Sequence, residues 1–483
     1  MYDVAIIGGG VVGASIAREL SKYHGKIVLI EKERDVSLGA TKANSGIVHG
    51  VYATEYGTLK GRLAAKGSPM FQQLNKELNF GYRKTGSLVV GFNEADHRKI
   101  QKLYYNGKKY GENDQDLQLI GAETINKLEP HINGDVKMAL HSKNVGVASP
   151  YEMTIALMEN ALANGVKVFF GQEINKIYRR ENDFKIQGEN QTFEAKYIVN
   201  AAGLYSDRVA RMAGIEDYEI IPRRGQYILF GKDQGHLVNR VIFQVPNEKG
   251  KGILVTTTFH GNFMIGPNAE EVNDRADVST TKESLKYIIQ NARRSISDFK
   301  LNRAITTYSG IRASVKEKDF IIEGDRVKGM INLIGIDSPG LTAAPAIGEM
   351  VREMLKERGL ILNKKTEFQP YRAPLFHKKE EDFEGSTDHQ EPEKKVICRC
   401  ETVTEEEITE SFRRGLPVES IQAVKFRTRA GMGQCQGAYC RSRVKEIIRR
   451  EQGGYKENIP MTSHREEPKV HKVDIKKIRK MDV

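Results

Sequence analysis

Cysteine is almost missing from this chain of 483 residues: there are four, and the first of them is Cys398. No apolar run comes near the roughly 18 residues that a membrane-spanning helix needs, so no transmembrane segment is expected. The opening residues, MYDVAIIGGG, carry neither a charged n-region nor a cleavage site, which argues against a secretory signal. Together these absences point to the reducing cytoplasm, where clustered cysteines hold metal more often than disulfides. Acid is in deficit too, with Lys+Arg 75 against Asp+Glu 63 and a net charge of +12. No nucleic-acid motif accompanies that excess, so nucleic acid is not an expected partner. The surplus gathers late, in KVHKVDIKKIRKMDV, and suits a face for an acidic partner or for lipid at the inner membrane surface. The chain is too long for one core, and two or three domains are expected.

What is present begins at once. YDVAIIGGGVVGASIAREL reads as strand, glycine turn and helix, with Gly8, Gly10 and Gly13 in the G-x-G-x-x-G spacing. The first glycine permits the tight turn, the second lets a pyrophosphate approach the backbone, and the third lets helix and strand pack closely. N–H groups at the helix start, around Val12, then face the pyrophosphate. A second strand, KIVLIEK, ends in Glu31 with Lys32 beside it, about twenty residues on, where ribose hydroxyls are expected. The acid argues against a 2′-phosphate and leaves FAD or NAD. A nicotinamide enzyme would continue with further β-α units. Instead comes ATKANSGIVHGVY, a small polar loop able to lie along a flavin, with Thr41, Asn44, Ser45 and Gly46 as candidate contacts and His49 at its end.

Two later returns fit the same domain. AKYIVNAAGLYSDRVARMAG gives a strand, then Ala202 and Gly203, then a helix. VKGMINLIGIDSPGLTAAPAIGEMV gives a strand, a turn at Gly340 and a helix starting near Leu341. With ANSGIVHG, GKGILVTTTFHGNFMIGPNA, SGIRAS and GIDSPGLTAAPAIGE, these pieces resemble the FAD-dependent oxidoreductases of the D-amino-acid oxidase superfamily, over roughly residues 1–360. The branch they look most like holds glycerol-3-phosphate dehydrogenases and oxidases and L-2-hydroxyglutarate oxidases. The resemblance implies an α/β FAD-binding Rossmann-type domain, discontinuous over residues 1–80, 146–215 and 306–362. It also implies an inserted, mostly antiparallel β-sheet substrate domain at 81–145 and 216–305. The first insert reads as irregular, whereas the second alternates in GQYILF, RVIFQV, GILVTTTF and NFMIGP. Ile174, Gly310 and Thr342 join the candidate FAD contacts on the same ground.

The chemistry so implied removes two electrons from a hydroxyl-bearing carbon of a small phosphorylated or carboxylate polyol or hydroxy acid. sn-Glycerol 3-phosphate is the first expected substrate and L-2-hydroxyglutarate, or another 2-hydroxy acid, the second. Amino-acid or opine oxidation and a substrate-less electron-transfer module are further readings. His49 is the candidate base, because imidazole titrates near neutrality; a structural histidine bonded to a carbonyl is the bland alternative. Arg312, in SGIRAS, is the candidate anion clamp, since guanidinium offers a bidentate fork. Lys251, in EKGKGILV, is a second candidate or else a surface lysine. His260, in TFHGNF, is a substrate contact or a structural residue of a strand turn.

Residues 363–394 are polar and charged and contain three prolines, reading as a linker or as an arm draped over the first domain. A compact unit follows at 395–455, then a basic tail at 456–483. In that unit TVTEEEITESFRRG is a helix capped by Thr404 and ended by Gly415, and GAYCRSRVKEIIRRE begins another. Cys398, Cys400, Cys435 and Cys440 form a C-x-C and a C-x4-C pair. The first is an awkward disulfide, and zinc sites usually space cysteines by two to four residues. Four thiolates on short loops also suit an iron–sulfur cluster. The region resembles the small mainly helical bacterioferritin-associated-ferredoxin-like domain, which implies a [2Fe-2S] cluster on these four cysteines. A cluster that passes one electron at a time implies an electron-accepting partner, a flavoprotein or a membrane-linked subunit.

Overall fold

The computed structural model describes residues 1–246, 252–375, 379–454, 458–468 and 470–481. Strand β1 (Tyr2–Ile7), helix α1 (Val11–Ser21) and strand β2 (Ile27–Ile30) form the opening β-α-β unit. β1 runs parallel to β2 and to Thr192–Asn200, and Lys167–Phe169 and Met330–Ile334 extend this parallel layer on either side. β2 is buried along its whole length, as expected of a parallel strand covered on both faces. Val4 and Ile6 pack into a core with α1 and the helices Pro150–Ala163 and Gly340–Glu357. Ala5 and Ile7 pack oppositely, with the hairpin strands Lys176–Arg179 and Phe184–Gln187 and the helix Ser206–Met212.

A second sheet of nine strands is mostly antiparallel, with Val241–Gln244 beside Ser87–Gly91 as a parallel exception. Phe230, Phe263 and Phe299 meet in its core, with the Phe230 ring edge-on to the other two. Its longest pair, Ile221–Phe230 with Ala304–Ser314, runs in register from Ile221↔Ser314 to Leu229↔Thr306. Residues 81–145 are more regular than their sequence suggests. They hold the strands Ser87–Gly91, Leu117–Gly121 and Met138–Ser142 and the helix Glu94–Lys109. That helix packs Ile100, Leu103, Tyr104 and Gly107 inward, a helical i, i+3, i+4, i+7 spacing set in an otherwise charged and polar stretch.

Residues 363–375 lie along the first sheet's helices. The Lys365 and Arg372 N–H groups donate to the carbonyls of Lys22 and Glu77, at 2.9 and 2.8 Å. Beyond them, Glu405–Glu410, Ile421–Thr428 and Arg441–Glu451 enclose a small core of Ile397, Ile408, Val424 and Ile448. Thr404 and Glu407 close a capping box at the first of these helices. Several contacts fasten this unit to the rest, three of them through buried groups. Arg427 donates to both carboxylate oxygens of Asp35, at 2.7 and 2.9 Å. Phe426 stacks on Tyr151 with ring centroids 4.8 Å apart. Glu401 accepts from Arg429 and from Lys232, each at 2.9 Å.

The basic tail does not stand out as a docking arm. Its Val473, Ile475 and Ile478 join the core of the second sheet, Ile478 fully buried, and Arg479 Nε donates to the Ala304 carbonyl at 2.9 Å. Apolar residues at these spacings turn the short helix Ile475–Arg479 inward and leave its lysines outside. Among the described residues no helix is long and apolar enough to cross a membrane.

Removing one member of a fully buried ion pair strands the other charge, which costs about 3–5 kcal/mol. Arg427→Met is therefore expected to lower stability by that order in urea unfolding, and Arg427→Met with Asp35→Leu to recover most of it.

Candidate functional site

One cavity of about 730 Å³ opens where the glycine turn, the loop after β2 and the strand pair Ile221–Phe230/Ala304–Ser314 converge. Gly8 has φ +113°, and a Cβ there would meet the Ala201 carbonyl oxygen at 2.4 Å. Gly13 lies outside the lining, where a Cβ would meet the Gly8 carbonyl oxygen at 2.0 Å, so its part is the close packing of α1 on the turn. Gly10 and Val12 border the cavity at the start of α1. Glu31, at the end of β2, accepts from the Gly9 N–H, and burial pushes its carboxyl upward. Lys32 also borders the cavity, its ammonium 4.0 Å from the centre of the Tyr205 ring.

Thr41, Asn44 and Ser45 line the cavity along the loop. Gly46 does not; it turns beneath, where its carbonyl accepts from Ala148 N–H at 2.7 Å. Ile174, Ala202, Gly203 and Gly310 border the same space, as do Gly340 and Leu341 at the start of the long helix. At Gly310 a Cβ would meet the Ala43 carbonyl oxygen at 2.0 Å, so the absence of a side chain lets strand and loop touch. Thr342 is buried behind the lining and positions another residue: its Oγ1 accepts from the His49 N–H at 3.0 Å.

His49 is half-buried in the lining, its ring 5.9 Å from the Phe243 ring and near parallel to it. Arg312 shares the cavity and donates to the Asn268 carbonyl at 3.4 Å. Lys251 lies outside the described residues. His260 does not reach the cavity. Its Nε2 pairs with Glu152 at 2.8 Å, beside Tyr151 and the cysteine-bearing unit, because the turn that carries it points away from the lining.

The lining also holds residues that the sequence did not single out. Arg223 borders the cavity from the strand opposite Arg312. His464, Glu466, Glu467 and Pro468 close it from the tail. Arg465 N–H donates to Glu33 at 2.7 Å, while its guanidinium pairs with Glu173 and Glu189. Burial would raise the Glu33 carboxyl, but His464 and that N–H bring it down to about 2. The break in the tail's run of base at HREEP was the available signal.

An FAD fits these residues. Gly8, Gly9 and Gly10 put no side chain between the turn's backbone and the cavity, and buried Glu31 is an acceptor beside it. The Ser309 hydroxyl, also in the lining, is buried and has no hydrogen-bond partner among the described residues. The four cysteines come together as two thiol contacts, Cys398 with Cys440 and Cys400 with Cys435, and the pairs interact with one another. Hydrogen bonding from the Cys440 thiol, ahead of the Gly431 N–H, holds Cys398 down to about 6. Cys398 and Cys440 are buried and Cys400 is exposed. A donor set of four sulfurs on short loops fits an iron–sulfur cluster.

Residues 3–354 match the family described as FAD dependent oxidoreductase, and residues 396–450 match the BFD-like [2Fe-2S] binding domain. The chain is 46% identical to a glycerol 3-phosphate dehydrogenase of Caloramator mitchellensis, over 94% of this chain and 95% of that one. It is 32% identical to the glycerol 3-phosphate oxidase of Mycoplasma pneumoniae, over 75% of this chain and 96% of that one. The solved structure of dithionite-reduced L-α-glycerophosphate oxidase from Mycoplasma pneumoniae, with FAD bound, superposes with a TM-score of 0.73 at 31% identity. It covers 77% of this chain and 98% of its own. The cofactors here are FAD and a [2Fe-2S] cluster.

Arg465→Ala removes the pairs to Glu173 and Glu189 that hold the tail over the cavity. The FAD dissociation constant, followed by flavin fluorescence, is expected to rise about 3- to 10-fold.

Proposed function

The chain belongs to the FAD-dependent oxidoreductase family, and on that premise we propose that it oxidises sn-glycerol 3-phosphate to dihydroxyacetone phosphate and passes the electrons through its [2Fe-2S] cluster to a protein acceptor. The observation that carries this reading is the meeting of His49 and Arg312 in the cavity of the glycine turn. The likeness to a glycerol 3-phosphate dehydrogenase across nearly the whole chain, cysteine unit included, supports it.

When bound, FAD supplies a two-electron acceptor and the cluster a one-electron outlet. The chain's own residues do the rest. Oxidation at C2 removes its hydrogen with two electrons and the hydroxyl hydrogen as a proton, and His49 takes that proton. The bond from the His49 N–H to Thr342 fixes the backbone that presents the ring, and Phe243 limits its tilt. Arg312 holds the phosphate, which orients C2. Buried Cys398 and Cys440 and exposed Cys400 would hold the cluster, and the exposed thiol would put it within reach of an acceptor.

Anaerobic titration of the holoenzyme with sn-glycerol 3-phosphate, and separately with L-2-hydroxyglutarate, tests the substrate. Bleaching of the flavin band by the first alone is expected; bleaching by the hydroxy acid alone would sink the assignment. His49→Asn is expected to lower kcat by about 10²- to 10⁴-fold, with a smaller change in KM. Cys435→Ser is expected to lose the cluster's absorbance and the transfer to one-electron acceptors while the flavin still bleaches with substrate.

A further inference from the structure

The cavity presents a second guanidinium directly across from Arg312. In the antiparallel pair Ile221–Phe230/Ala304–Ser314, Arg223 stands opposite Arg312. Residues so placed share a face with Cβ atoms about 5 Å apart, and like charges there repel. Both arginines border the cavity. The next residue, Arg224, has its charge answered by Glu270 at 3.3 Å and Asp277 at 2.8 Å. Among the described residues, no carboxylate lies within ion-pair distance of Arg223 or Arg312. Arg223 Nε is buried and finds no hydrogen-bond partner among the described residues. Space has also been kept for the pair: a Cβ on Gly225 would meet Arg312 Nη2 at 2.7 Å, so the glycine lets that guanidinium lie across the strand.

Glu271 stands opposite Arg223 on the other neighbouring strand but outside ion-pair distance, and two juxtaposed cations with no acid in contact make sense when an anion of matching charge enters between them. A phosphate monoester carries about −1.5 to −2 near neutral pH, and a single carboxylate only −1. Its oxygens also outnumber those of a carboxylate, so it can accept from two forks at once. We infer that Arg223 is the second cation of a two-arginine clamp that selects a phosphate monoester over a carboxylate at the substrate's anionic end. The inference rests on the reading of the cavity as a substrate site and deepens it from an anion to a dianion.

Wild type, Arg223→Gln and Arg223→Lys holoenzymes decide the matter, with FAD content measured on each. With sn-glycerol 3-phosphate, Arg223→Gln is expected to raise KM about 100-fold with a much smaller fall in kcat, and Arg223→Lys to recover part of the loss. Inorganic phosphate, read by its perturbation of the flavin absorbance, is expected to bind Arg223→Gln at least about tenfold more weakly than wild type. An unaltered phosphate affinity overturns the inference whatever substrate the wild type oxidises. So does loss of FAD with substrate constants intact, which would assign Arg223 to the cofactor. If wild type binds phosphate through Arg223 but is not reduced by sn-glycerol 3-phosphate, the clamp stands and the substrate assignment falls.

Discussion

Asp35 and Arg427 are separated by most of the chain, yet they meet as a bidentate pair with side-chain exposures of 2% and 0%. Taking both charges out of water is costly unless the remaining donors and acceptors are also met. Here they largely are. Arg427 donates as well to the Ala423 and Pro417 carbonyls, at 3.1 and 3.3 Å, and Asp35 accepts from the Val36 N–H at 2.8 Å. The loop that offers Asp35 is itself tied to the glycine turn, since Ser37 N–H donates to the Gly9 carbonyl at 2.9 Å. A short run of bonds thus references the cysteine unit to the site of the pyrophosphate, so that its position is set by the same loop that lines the cavity.

Such anchoring matters for the relay proposed above. Electron transfer between two centres needs a fixed separation, and a unit joined only by a polar arm would hold none. The stacked Phe426 and Tyr151 rings supply apolar area at this contact, while Arg429 and Lys232 converge on one buried carboxylate, Glu401. Salt bridges of this kind add specificity more than stability, because a misplaced unit would leave Glu401 and Asp35 buried without partners.

Much of this molecule was legible in its sequence, and what was legible is local. The glycine spacing, the acid ending the second strand and the alternating strands of residues 216–305 each depend on neighbours a few positions away. The Thr404 cap is of the same kind, and the structure closes it as a capping box with Glu407. The cysteine pairs were readable because their rarity made them conspicuous. What stayed hidden depends on partners remote in the chain. Nothing near Asp35 announces Arg427, and nothing in PRRGQY distinguishes Arg223, which faces the cavity, from Arg224, which faces Glu270 and Asp277. His260 read as either a substrate contact or a structural residue of a strand turn, and the turn's direction, which no neighbour fixes, brings it to Glu152. The helix Glu94–Lys109 was legible as well, in the i, i+3, i+4, i+7 stripe of Ile100, Leu103, Tyr104 and Gly107, but a single short stripe among charges was read as irregular.

The net charge of +12 also acquires a different meaning. Read along the chain, the late surplus of base looks like the footprint of an external acidic surface. In the fold many of those groups find partners within the chain: Arg465 with Glu173 and Glu189, Arg450 with Glu405, Arg427 with Asp35, and Arg479 with a strand carbonyl. They join a tail and a small helical unit to a larger body, a task for which long cationic side chains suit acids displayed on separate elements. The cations that await an outside anion are therefore not where the sequence has most of them. Two of them, on the inference drawn above, are Arg223 and Arg312, from two strands brought together by sheet register. A small anion is better recognised there than on the tail, because a cavity excludes the water and salt that screen a surface charge.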